Sequence, residues 1–170
     1  MAIKIIEIKA RCSDPDRIRG ILRSRDARFV GEDHQIDTYY RVDQGRLKLR
    51  RGRIENSLIY YERPDDEGPK RSDAKLFRIT ADSGLKTVLD AALDEWVVVD
   101  KRREIYFIDN VKFHIDRVEG LGTFVEIEAI DEADVFDEAE LREQCEKYLS
   151  LFDISPEDLV DRSYSDLLTD

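Results

Sequence analysis

Cysteine is scarce in this chain of 170 residues: there are two, Cys12 and Cys145. They lie far apart and give neither a metal-ligand spacing nor a disulfide framework, so reduced thiols are expected. Histidine is equally scarce, with His34 and His114 alone. His34 precedes a strand and reads as a surface residue. His114 has no nucleophile or second ligand spaced near it, so a hydrogen-bonded structural role is expected ahead of a catalytic one. No apolar run approaches the ~20 residues of a membrane span, and the N-terminus lacks a signal-peptide core. Low-complexity stretches and tandem repeats are absent too. Basic charge is in deficit: 28 Lys and Arg face 39 Asp and Glu, for a net charge of −11. That argues against a partner held by phosphate-backbone electrostatics, whether nucleic acid or an anionic membrane. A cytoplasmic protein with neither partner is expected.

What is present suffices for one domain over 1–170. Hydrophobic residues make up 41% and charged residues 39%, the balance of a soluble folded chain rather than a disordered one. Strands are expected over 3–11, 28–42, 46–54, 57–63, 74–81, 96–108, 111–118 and 123–130. A helix follows the first strand, where Ser13 or Asp14 can cap and Pro15 suits the first turn. A second fits GLKTVLDAALDE, and a third starts at the capping-box pair Asp137 and Glu140. Short helical turns follow SPEDLV and SYSDLL. Residues 63–72, RPDDEGPKRS, read as a long polar loop or lid. About eight strands and three helices suggest an α+β protein: a closed antiparallel eight-stranded β-barrel with helices packed outside.

The strand faces carry the functional signal. In IIEIKARC (5–12), Ile6, Ile8 and Ala10 share one face, while Glu7, Lys9 and Arg11 share the other. The pattern recurs in RLKLRRG, with Lys48 and Arg50, in KFHID, with Lys112, His114 and Asp116, and in FVEIE, with Glu126 and Glu128. Lys101 and Arg103 share a face, as do Gln35, Asp37 and Tyr39. If helices cover the barrel, the apolar faces point outward beneath them and the charged faces point into the lumen. Such an array is costly to desolvate unless paired or holding a charged ligand. A polyanion with divalent cations suits it: ammonium and guanidinium groups cradle phosphate oxygens while carboxylates hold metal. An open sheet with one wet face is the competing arrangement.

EIKAR (7–11), DTYY (37–40), LKLR (47–50), KRREIYF (101–107), HIDRVEGLGTFVEIE (114–128) and SYSDLL (163–168) together resemble the CYTH superfamily, which contains class IV adenylyl cyclases and thiamine triphosphatases. The resemblance spans the chain in order and is nearest to the bacterial class IV cyclase-like branch. It implies a triphosphate tunnel, an eight-stranded barrel that binds a triphosphate with Mg²⁺ or Mn²⁺ inside. Glu7 and Lys9 match the end of the ExExK signature, Lys48 and Arg50 a basic pair, Lys101 and Arg103 a KxR element, and Glu126 and Glu128 an ExE. The resemblance thus implies Lys9, Lys48, Arg50, Lys101 and Arg103 as triphosphate ligands. It implies Glu7, Glu126, Glu128 and Asp116 as metal ligands, with Lys9, Glu7 and Arg50 catalytic. Two departures stand out. Ile5 replaces the first glutamate of ExExK, and Tyr61 stands where a lysine is often found. Lys75 or Arg78 could restore that charge, and Lys75 is preferred.

The implied activity is conversion of ATP to cyclic AMP and pyrophosphate, by attack of the ribose 3′-hydroxyl on the α-phosphate. A triphosphatase acting on thiamine triphosphate or tripolyphosphate needs the same clamp, with water attacking the terminal phosphate. A non-catalytic module binding a phosphorylated ligand is the rival of another class, and Ile5 favours it. A lipocalin-like carrier would need an apolar lumen. A homodimer is allowed, the sequence itself saying nothing of oligomeric state.

Overall fold

Ile6, Ile8 and Ala10 alternate along the first strand, and that alternation decides how the sheet meets the helices. The structure is a computed structural model that describes residues 2–62 and 68–170. In chain order the elements are β1 (Ala2–Arg11), α1 (Pro15–Ser24), β2 (Arg28–Tyr40), β3 (Arg46–Arg51), β4 (Asn56–Glu62), β5 (Lys70–Arg78), α2 (Leu85–Ala92), β6 (Glu95–Ile108), β7 (Val111–Val118), β8 (Gly122–Asp131), α3 (Glu138–Leu151), β9 (Leu159–Val160) and α4 (Tyr164–Thr169). The strands pair antiparallel in the order β5-β4-β3-β2-β6-β7-β8-β1, and β1 pairs back onto β5 to close the barrel. Closure leaves no edge of the eight-stranded ring unpaired, which removes the usual template for aggregation. The two-residue β9 pairs with Lys9 and Ala10, beyond the end of the β5 ladder.

Ile6, Ile8, Phe113, Ile115, Val125 and Ile127 point outward and pack under Ile18 and Leu22 of α1 and Leu141, Cys145, Tyr148 and Phe152 of α3. Each such side chain contributes roughly 1.5–3 kcal/mol when fully buried, so the helices fix which face is outside. Phe113 meets Tyr148 and Phe152 edge-on, at centroid distances of 4.8 and 5.7 Å. Asp14 caps α1, with Pro15 as its first residue. Asp137 and Glu140 form a reciprocal capping box on α3, both bonds at 2.8 Å. With the apolar faces spent on the helices, the charged faces are left inside.

One expected boundary is corrected. β5 starts at Lys70, not at 74, because its first residues pair with β1, Lys70 opposite Glu7 and Ser72 opposite Ile5. That partner lies across the barrel seam, so no local pattern announced it. Half of the expected loop, residues 63–67, lies outside the described residues. Among the described residues, no helix is long and apolar enough to cross a membrane.

Candidate active site

The barrel encloses a cavity of about 740 Å³ lined by inward residues of its strands. On one wall, Asp37 of β2 stands opposite Arg50 of β3. The Arg50 Nε and Nη2 each donate to the Asp37 carboxylate at 2.9 Å, a two-pronged pair. Lys101 Nζ donates to the same carboxylate at 2.7 Å, and Lys48 Nζ lies 3.5 Å away. Asp37 is fully buried. Burial opposes its ionisation, yet Arg50, Lys101 and Lys48 outweigh burial and hold the carboxyl well below the usual range. One anion thus organises three cations. Lys101 bears the cost: burial, set against the pull of Asp37 but reinforced by Arg103, Arg50 and Lys48, pushes its ammonium down to about 7.

The opposite wall comes from β1, β8 and β7. Lys9 faces Glu126, Glu7 faces Glu128, and His114 faces Glu126 in the ladder registers. Glu126 lies 3.5 Å from Lys9 Nζ and 3.2 Å from Arg103 Nη2, and His114 Nδ1 lies 3.1 Å from the same carboxylate. Burial works against the Glu126 charge, but Arg103 and Lys9 hold its carboxyl well below the ordinary value. His114 shows the reverse: burial, reinforced by Arg103, lowers its pKa. A neutral ring with the proton on Nδ1 donates to Glu126, the tautomer that its partner selects. His114, Glu126 and Glu128 present ligand atoms within 4.8 Å of one another. The expected structural histidine is therefore hydrogen-bonded, and it is also part of the carboxylate cluster.

Of the residues read from sequence, Glu7, Lys9, Lys48, Arg50, Lys101, Arg103, Glu126 and Glu128 all line this one cavity. Two do not. Asp116, expected as a metal ligand, is fully buried behind the lining: Arg103 donates to both its oxygens at 2.7 Å, and the Tyr164 hydroxyl adds a third bond at 2.7 Å. With its oxygens committed, Asp116 aims Arg103 rather than reaching a metal. Lys75, expected as a phosphate ligand, lies exposed on the outer face, because the inward residues of β5 are Ser72, Ala74 and Leu76. Arg78 lines the cavity instead, and Lys70 is buried with its Nζ donating to the Asp161 carbonyl. Lys75→Ala should therefore leave triphosphate affinity unchanged and shift stability by less than about 0.5 kcal/mol. Calorimetry and a denaturation curve check both.

Sequence reading missed two lining residues, Glu55 and Tyr164. Glu55, in the turn between β3 and β4, accepts from Lys112 Nζ at 2.5 Å and from Gln35 Nε2 at 2.9 Å. Its turn is held by the buried Asp33, which accepts the backbone N–H groups of Arg53, Ile54 and Glu55 at 2.6–2.9 Å. Gly52 is needed there, since a Cβ would come within 2.5 Å of the Asp33 carboxylate. Tyr164 enters the lumen from α4, its ring 4.0 Å from Lys9 Nζ and its hydroxyl on Asp116. The SYSDLL motif pointed to this segment, but nothing in it said that the tyrosine would enter the barrel. Tyr39, Tyr61, Phe124 and Tyr164 form a buried cluster with Leu167 and Leu168 of α4 packed against it, so that end of the barrel is filled.

The family model for the CYTH domain matches residues 4–164. The chain belongs to the CYTH domain family. A protein of Methanocaldococcus jannaschii named "Putative adenylate cyclase" is 25% identical over 171 residues, spanning 95% of this chain and 97% of its own. A Pyrococcus horikoshii structure superposes with a TM-score of 0.80 at 24% identity, covering 96% and 98% of the two chains. A Hippeastrum structure, described as a "Putative adenylyl cyclase" with a dominant triphosphatase activity, gives 0.66 at 13% identity, covering 99% and 94%.

Proposed function

We propose that this protein is a metal-dependent enzyme that cleaves a triphosphate inside its barrel, with ATP to cyclic AMP and pyrophosphate as the first-ranked reaction. One observation carries the reading: Lys48, Arg50, Lys101 and Arg103 face Glu7, Glu126 and Glu128 across a single buried lumen. The name of the Methanocaldococcus jannaschii relative, similar along nearly the whole chain, supports the choice of reaction.

Mg²⁺ or Mn²⁺ would be held by Glu7, Glu126 and Glu128, whose carboxylate oxygens are the hard donors both ions take. The fit has a structural reason: Glu7 and Glu128 stand directly opposite on β1 and β8, a like-charge pair that a cation stabilises. When bound, the ion would neutralise phosphate charge and polarise a phosphorus–oxygen bond. The chain supplies the rest. Arg50 and Arg103, each fixed by a carboxylate behind it, present planar guanidinium groups to phosphate oxygens. Lys9, Lys48 and Lys101 add point charges that stabilise the negative charge growing on the leaving phosphates. Because Asp37 and Asp116 pre-set these cations, little reorganisation is left for the reaction.

A triphosphatase is the second reading, favoured at the level of fold by the Hippeastrum neighbour. The two differ in nucleophile, the ribose 3′-hydroxyl at the α-phosphate or water at the terminal phosphate. Phosphorus NMR of the protein with ATP and Mg²⁺ or Mn²⁺ tests the choice. Pyrophosphate with cyclic AMP supports the cyclase; orthophosphate with ADP moves the assignment to the triphosphatase. If ATP, tripolyphosphate and thiamine triphosphate all stay unchanged while still binding, a non-catalytic module is left.

Lys101 gives the reading a pH signature. Between pH 7 and its ordinary 10.5, the unfolded chain holds a proton at this site that the folded chain lacks, so the group favours folding more as pH rises through that window. A polyanion beside the ammonium reverses the depression. Triphosphate binding at pH 8 should therefore take up protons, and affinity should fall as pH rises. Titration calorimetry in two buffers of different ionisation enthalpy reads the uptake; proton release on binding would contradict it.

A further inference from the structure

Lys112 lines the lumen from β7, yet its partner comes from the far side of the barrel. Its Nζ donates to Glu55 at 2.5 Å, and Glu55 belongs to the turn between β3 and β4. Around the eight-stranded ring, β7 lies three strands from β3 and four from β4. The pair therefore spans the bore instead of joining neighbouring strands. It does so at the open end: among the described residues, Tyr39, Tyr61, Phe124 and Tyr164 fill the other end, while Glu55, Arg78, Lys112 and Glu132 line this one. The backbone of the turn is fixed, since Asp33 accepts from the N–H groups of Arg53, Ile54 and Glu55, and the Asn56 side chain accepts from Gly52. The Glu55 side chain is less enclosed. Asp37 and Asp116 are wholly buried beside the cations they set, whereas the Glu55 side chain is 27% exposed. It also meets Gln35 Nε2 at 2.9 Å and Arg50 Nη1 at 3.7 Å.

We propose that Glu55 and Lys112 form a gate across the entrance of the lumen: Glu55 swings toward water to admit a polyphosphate anion, and Lys112, released from it, becomes a further phosphate ligand. The proposal rests on the reading of the lumen as a triphosphate site. Both partners are long side chains on fixed backbone, so the gate opens by rotation about side-chain bonds and the sheet stays in place. An anion entering from this end meets the Glu55 carboxylate, and like charges at close range repel strongly away from bulk water. The exchange keeps charge balanced, because a phosphate oxygen replaces a carboxylate oxygen on Lys112. Arg50 gains as well: its Nε and Nη2 stay on Asp37, while the Nη1 beside Glu55 is freed for phosphate. Lys112 stands opposite Glu128 in the β7–β8 register, so the released ammonium remains beside the carboxylates proposed to hold metal. Glu55 is thus a tethered competitor for the phosphate sites, and it slows entry and lowers affinity.

Stopped-flow mixing and titration calorimetry test the gate, with the Mg²⁺ complex of an inorganic triphosphate whose methylene bridges block cleavage. Glu55→Gln keeps the side-chain length and an acceptor for Gln35 but loses the charge. It should raise the association rate and the affinity, each about tenfold. Glu132→Gln removes an exposed carboxylate from the same mouth and should change both by less than about twofold. Lys112→Met added to Glu55→Gln should take back about tenfold in affinity, the loss of a phosphate contact. Nitrogen NMR of lysine side chains gives a reading that needs no variant: the Lys112 Nζ signal of the unaltered chain should move as the anion saturates it. Unchanged or weaker binding by Glu55→Gln, an equal gain from Glu132→Gln, no loss on adding Lys112→Met, or a Lys112 signal that stays in place would overturn the gate and leave the triphosphate lumen standing. If the unaltered chain does not bind the anion at all, the lumen reading falls and the gate with it.

Discussion

Asp37→Ala should destabilise the protein by about 3–5 kcal/mol, the cost of leaving buried charge without its partner. Asp37 is the carboxylate against which Arg50, Lys101 and Lys48 are packed. All are buried or nearly so, and burial, reinforced by repulsion from Arg103, Arg50 and Lys48, already depresses Lys101. Without the carboxylate, three cations face each other in a low-dielectric interior where Coulomb terms are large. The same logic predicts a rescue. Tripolyphosphate, an anion entering the same space, should raise the melting temperature of the variant by more than it raises that of the unaltered chain, since it replaces a lost charge. Urea denaturation gives the first quantity and thermal melts with and without the anion give the second. A loss below about 1 kcal/mol would mean that the cations find solvent or other partners.

Glu126→Gln should do the opposite, sparing the fold and removing the chemistry. Its carboxylate meets Lys9, Arg103 and His114 and belongs to the set proposed to hold metal. Arg103 keeps both oxygens of Asp116, and Lys9 keeps the Arg162 carbonyl at 3.3 Å and the Tyr164 ring. No cation is therefore stranded as Lys101 is in the first variant. Metal-supported turnover should fall on the order of a hundredfold or more, with the apparent metal affinity falling alongside it. Kinetics against metal concentration, with circular dichroism as the control, separates the two effects. Unchanged turnover would remove Glu126 from the proposed metal site.

The contrast between these variants explains what the sequence disclosed and what it withheld. Alternation on β1, β3, β7 and β8 revealed which residues share a face, and the three helices said which face is covered. From those two facts the charged lumen followed, along with eight of the side chains that line it. In the middle of β5 the rule runs backwards: Arg71, Asp73 and Lys75 face out, while Ser72, Ala74 and Leu76 face in, with Arg78 beyond them lining the cavity. The position of β5 is set by its pairing with β1 across the seam, so alternation within β5 says that Lys75 and Arg78 lie on opposite faces but not which of them faces in. Asp116 shares its face with His114, so parity alone could not tell a ligand from a counter-ion lying behind Arg103. Glu55 and Tyr164 enter the lumen from a turn and from a terminal helix, and periodicity has no purchase on either. Asp37 was placed on the right face, but its role depends on three strands meeting at one carboxylate.

The central claim is that phosphate is bound inside the barrel by the cations that Asp37 and Asp116 hold ready. The most direct test is nitrogen NMR of arginine side chains, titrating tripolyphosphate into the labelled protein with Mg²⁺. Arg50 and Arg103, buried and hydrogen-bonded, should have sharp Nε signals that shift to saturation, while the more exposed Arg71 and Arg162 stay in place. Shifts confined to the exposed arginines, with Arg50 and Arg103 unmoved at saturating anion, would place the phosphate on the outer surface and contradict the account.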